Sequence, residues 1–68
     1  MTPCWMSDPE DRIELADLAR ITGHVYGRGA RGLLNGLRAA GVATYQWAPN
    51  CNWYVSRSSL RAILGWNI

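Results

Sequence analysis

Lysine and phenylalanine are absent from these 68 residues, cysteine occurs twice and histidine once. The two cysteines, Cys4 and Cys51, fit no metal-ligand spacing, and two thiols do not make a disulfide framework. No metal and no cofactor is therefore assigned. Acid is missing from most of the chain: Asp8, Glu10, Asp11, Glu14 and Asp17 all precede Leu18. No apolar run approaches the ~20 residues that span a bilayer. The opening MTPCWMSDPEDR has neither a basic start nor an apolar stretch, so no signal peptide, a cytoplasmic location and no membrane partner are expected. With one histidine, no paired carboxylates on an apolar face and no nucleophile at a fixed spacing from a base, the chain is expected not to be an enzyme, and no catalytic residue is assigned.

What is present argues for one small folded domain. Apolar residues make up 49% of the chain, enough for a core and too many for a disordered segment. A domain of this size buries only about 60% of its unfolded surface, so stability is expected to be modest. All seven basic residues are arginine and the net charge is +2. Six of them, Arg20, Arg28, Arg31, Arg38, Arg57 and Arg61, follow the last acid. That asymmetry points to a polyanionic partner for the later three-quarters of the chain, with a merely locally basic surface as the plainer alternative. Arginine's planar fork suits phosphates and guanine edges.

The stretch GARGLLNGLRAAGV, Gly29 to Val42, organises the rest. At ~100° per residue, Leu33, Leu34 and Leu37 share one side with Ala30 and Ala40, while Arg31, Asn35 and Arg38 share the other. The leucines require a core, and the donors point outward with no carboxylate among them. Gly41 stands where a helix accepts a residue of positive φ. A helix over 30–40 is predicted. Gly32 and Gly36 weaken it by roughly 1 kcal/mol each; either another backbone or DNA comes close at Gly36, or the helix is stable only once packed.

Before it, Ser7-Asp8-Pro9-Glu10 has the form of a capping box with a tolerated first-turn proline. A first helix over 8–23 is predicted, Leu15, Leu18, Ala19 and Thr22 forming its inner face and Gly23 its stop. The alternative is an acidic loop with the helix starting near Leu15. Residues 1–7 are expected to be a flexible terminus, although Trp5 and Met6 have the option of folding back. Gly23 to Gly29 reads as a turn carrying Tyr26 and Arg28; its glycine pair lacks the rest of a phosphate-loop motif. After Gly41 the period changes to two. Residues 42–55 are predicted to be a two-stranded β-hairpin turning at Pro49-Asn50-Cys51-Asn52. Ser56 or Ser58 caps a last helix over 57–65, with Leu60, Ile63 and Leu64 inward and Trp66 closing over the core. Most of the aromatics are assigned to the core; an exposed Trp47 or Trp53 would favour a protein partner.

The order helix, turn, helix, hairpin, helix has residues that carry a family likeness. LADLARITG (Leu15–Gly23) resembles the scaffold helix of MerR-type and excisionase-like DNA-binding domains. GLLNGLRAAGV (Gly32–Val42) resembles the recognition helix and strand entry of winged-helix regulators. WYVSRSSLRAIL (Trp53–Leu64) is similar to the end of an excisionase wing and its following helix. The resemblance covers about residues 15–64; the turn with Gly27 and Gly29 is longer than the family's, and the hairpin tip lacks the family's Arg or Lys. It implies an α+β winged helix-turn-helix of phage or mobile-element type that binds double-stranded DNA. Arg31, Asn35 and Arg38 would meet base edges and phosphates, Asn50 and Asn52 would act from the wing, and Arg57 would clamp a phosphate with the last helix's dipole; Arg28, in the turn, is a candidate backbone-phosphate contact from its position alone. A homodimer or cooperative binding is the expected means of raising affinity. The alternative is the same fold turned to binding, inhibiting or adapting a host protein complex.

Overall fold

In the computed structural model, which describes residues 2–22 and 29–68, the segment Arg12-Ile13-Glu14 is a strand, β1 (Arg12–Glu14), and not the second turn of a helix. The expected capping box at Ser7 does not form. Instead Cys4–Ser7 is a single 3-10 turn, and the first α-helix, α1 (Leu15–Thr22), begins directly after β1. The physical reason is tertiary. Ile13 pairs with Val55 and both are buried, so extending residues 12–14 pairs the edge of β3 that a helix here would leave open.

The remaining elements are α2 (Gly29–Ala40), β2 (Thr44–Gln46), β3 (Trp53–Ser56) and α3 (Arg57–Leu64). Among the described residues this is an α+β fold of three α-helices and one three-stranded antiparallel sheet, ordered β1-β3-β2. The expected pair of strands, β2 and β3, is present and antiparallel, but β1 adds a third on the far side of β3. The last helix ends at Leu64 with Gly65 at φ 70°, not at residue 65. The predicted turn from Gly23 onward, with Tyr26, lies outside the described residues.

The pleat sorts the sheet into two faces. Ile13, Val55 and Trp53 face the helices, where Leu15, Leu18, Leu33, Leu34, Leu37, Val42 and Leu60 complete the core. Arg12, Glu14, Tyr54 and Ser56 face the other way. That second face is met by the 3-10 turn, whose Met6 is 2% exposed. Arg12 Nη1 donates to the Met6 carbonyl at 2.8 Å and fastens it. Met6 thus folds back into the chain as the buried residue of the 3-10 turn. The predicted inner stripe of α3 is narrower than expected: Leu60 is buried and Leu64 packs on the core, but Ile63 is exposed.

Two glycines end helices. Gly41, at φ 90°, donates to the Arg38 carbonyl, and Val42 donates to the Leu37 carbonyl at 3.0 Å. This pair of bonds closes α2 in a Schellman motif, with Leu37 and Val42 both buried. No helix among the described residues is long and apolar enough to cross a membrane.

Candidate nucleic-acid interface

The α2 helix carries the candidate surface. Leu33, Leu34 and Leu37 are buried in the core cluster that also holds Leu18 of α1 and Val55 of β3, while Arg31, Asn35 and Arg38 are exposed on the opposite side. From Arg31 to Arg38 the helix rises about 10 Å, roughly three base-pair steps. The three donors therefore project from one side of a short rod whose other side is anchored.

What separates Arg31 and Arg38 from the other described arginines is what their guanidiniums touch. Arg12 donates to Met6, Arg57 to the Glu10 carbonyl at 3.0 Å and Arg61 to the Ile68 carbonyl at 2.6 Å. Arg20 is ion-paired with Asp17 one turn earlier on α1. Arg31 makes no hydrogen bond or ion pair with any described residue. Arg38 makes none either, and lies over the Trp53 ring, 5.5 Å from its centroid. Arg31 and Arg38 are thus the two described arginines with no hydrogen bond or ion pair to a described residue, whereas Arg57 spends Nη1 on Glu10 while its buried Nε has no partner among the described residues.

Asn50 and Asn52 are exposed in the six-residue connection 47–52 between β2 and β3. Gln46 shapes that connection by donating through Nε2 to the carbonyls of Pro49, at 3.1 Å, and Cys51, at 2.8 Å. Sequence reasoning passed over Gln46, since a side chain that ties a loop carries no periodic signal. Arg28 lies outside the described residues.

Arg57 lies at the start of α3, where a phosphate contact aided by the helix dipole is expected; that helix start already holds an anion, the chain's own Asp11. Ser58 N–H donates to Asp11 Oδ1 at 2.7 Å, and the Ser56 and Ser58 hydroxyls donate to Oδ2 at 2.9 and 3.1 Å. The Arg57 N–H donates to the Asp11 carbonyl at 2.7 Å. Ser56 also caps the helix, accepting from Ser59 N–H at 3.2 Å. Burial pushes the Asp11 carboxyl up, but the Ser58 N–H, the Ser56 and Ser58 hydroxyls and the nearby Arg61 charge together hold it below its ordinary value. A groove of about 420 Å³ beside it is lined by Asp8, Glu10, Asp11, Ser58 and Arg61. That surface disfavours a phosphate.

The aromatics divide. Trp53 and Trp66 pack against the core, and Tyr45 and Tyr54 are half-buried. Trp47 is 55% exposed and meets Tyr45 edge-on, with ring centroids 5.5 Å apart. Comparison of the chain with protein-family models, with curated proteins and with solved structures finds no match.

Proposed function

We propose that the chain is a small, non-enzymatic double-stranded-DNA-binding domain of winged-helix type. In this reading α1 and α2 form the helix-turn-helix, α2 enters the major groove, and β2, β3 and the 47–52 connection form the wing. The observation that carries it is the α2 face: Arg31, Asn35 and Arg38 exposed together, with no carboxylate among them and no hydrogen-bond partner among the described residues. The element order β1, α1, α2, β2, β3 and the sheet order β1-β3-β2 are compatible with it. Asp11 is engaged at the α3 start and Asp17 with Arg20, so the charges of these two acids are already partnered within the chain.

Fluorescence anisotropy against labelled duplexes at two salt concentrations tests the reading. Binding is expected at low salt and weakens as salt rises, because phosphate contacts release counterions. Arg31→Ala is expected to lower affinity on every duplex and to reduce the salt slope by about 1. Arg20→Ala, on the other helix, is expected to change neither. Flat anisotropy on every duplex at low salt overturns the proposal. One module of this size has limited affinity, so binding as a homodimer or cooperatively is part of it, read from the stoichiometry of the same titrations.

A second reading, a host protein as partner, is favoured by one observation, the exposed indole of Trp47. Under it, DNA titrations are flat and a protein partner's binding is lost on Trp47→Ala.

A further inference from the structure

Arg38 differs from Arg31 in having a surface to rest on. Its guanidinium lies over the Trp53 indole, within the range where a cation is drawn to a ring face. Trp53 is itself fixed. It opens β3, stands in register with Gln46 and packs half-buried against the core. Gln46 in turn holds the carbonyls of Pro49 and Cys51, so the platform under Arg38 is tied to the connection as well as the sheet.

This matters because the two kinds of DNA contact make different demands. A phosphate accepts a donor from many directions. A guanine edge presents O6 and N7 side by side and rewards a fork held in one plane. Ordering a free arginine on binding costs rotamer entropy, and that cost falls when the side chain already rests on a ring. Arg31, with no described partner, suits the first task and Arg38 the second.

We propose that Trp53 is a positioning residue that holds Arg38 as the guanine-reading side chain of α2, leaving Arg31 to grip phosphate. This rests on the DNA-binding reading above.

The test begins with the full chain and a random-sequence duplex pool, from which a preferred site is selected at low salt. Each guanine of that site is then replaced in turn by 7-deazaguanine, which lacks the N7 acceptor. At one guanine the replacement is expected to weaken the unaltered chain about 5- to 100-fold. Arg38→Ala is expected to bind more weakly and to be indifferent to that replacement, whereas Arg38→Lys, whose ammonium still donates to N7, is expected to bind more weakly and to keep part of the penalty. Arg31→Ala is expected to bind more weakly everywhere and to keep the penalty. Trp53→Phe, which retains a ring, keeps most of it. Trp53→Leu, which retains apolar bulk without a π face, lowers it by about 2- to 5-fold. Thermal melts establish that each Trp53 variant is folded at the assay temperature, with Trp53→Met replacing any that is not.

An unchanged penalty in the folded ring-less variant overturns the role of Trp53. An unchanged penalty in Arg38→Ala overturns the inference entirely. Binding with no enriched site, or with no guanine sensitive to the replacement, overturns it and leaves DNA binding standing. No binding to the pool at all is the separate failure of the DNA reading.

Discussion

Asp11 is the residue on which three elements meet. It leads into β1, its carboxylate fills the start of α3, and Ser56, which donates to it, is the last residue of β3 and is buried. Removing that acceptor leaves donors at the helix start and the Ser56 hydroxyl short of a partner. Asp11→Ala is therefore expected to cost roughly 1–3 kcal/mol, read by chemical denaturation at neutral pH. The pH dependence has a definite sign. The folded carboxyl lies below its ordinary value, so its stabilisation is complete above the unfolded value of about 4 and is lost as pH falls through the folded one. Between about pH 5 and 2 the unaltered chain should lose more stability than Asp11→Asn, which has no carboxyl to protonate. Superimposable acid limbs for the two would remove the carboxylate's role. None of this was legible at the residue itself, because Asp11 sits in an acidic run that looks like a helix start, and its partners are 45 to 47 positions away.

At the scale of elements, local chemistry was a good guide wherever an element depends on its own residues. The predicted helix over 30–40 and the observed Gly29–Ala40 differ by one residue at the start. Leucine spacing marks the inner face and Gly41 the end, and both signals are contained within the helix. Gly41 sits at φ 90°, and a methyl group on its Cα would meet nothing within 4 Å, so strain there comes from the backbone alone. Gly41→Ala is expected to lower stability by about 1–2 kcal/mol, seen as a lower thermal midpoint without loss of helical signal. β1 is the opposite case. Three residues hold no period, and Ser7 with Glu10 satisfies a helix-start pattern that the chain does not use. The strand exists because β3 supplies a template for it. The start of α3 is a related case. The N-terminus of α3 was visible in Ser56-Arg57-Ser58-Ser59, but its occupant came from the other end of the chain.

The whole molecule is small, and its core is correspondingly thin. Among the described residues ten hydrophobic side chains are buried, nine of them in one cluster and Met6 apart from it in the 3-10 turn. A chain of this length has a total stability of about 3–10 kcal/mol at the usual value per residue. Leu37 is fully buried in the last turn of α2. Leu37→Ala is expected to cost about 2–5 kcal/mol, a large part of that total, so circular dichroism should show a variant partly unfolded near 37 °C. A fully cooperative melt at the unaltered midpoint would place Leu37 outside the core. The same thinness bears on the candidate surface. The donors of α2 are held in line only as firmly as the leucines beneath them.

By itself the sequence determined the elements whose stabilising contacts are local: the two-faced helix at 29–40 with its glycine stop, the apolar run that becomes α1 from Leu15, the turn at Pro49 and the capping serine of α3. It also determined that arginine and asparagine share the outward side of α2, since helical period alone sets that. Only the tertiary structure decided that residues 12–14 extend, that Asp11 fills the last helix's start in place of an outside anion, and that Trp53 comes to lie under Arg38. Each of those joins residues at least 15 positions apart. Closing such a loop costs chain entropy that no neighbouring residue repays, so the pairing is settled by the assembled core and leaves no periodic mark in the chain.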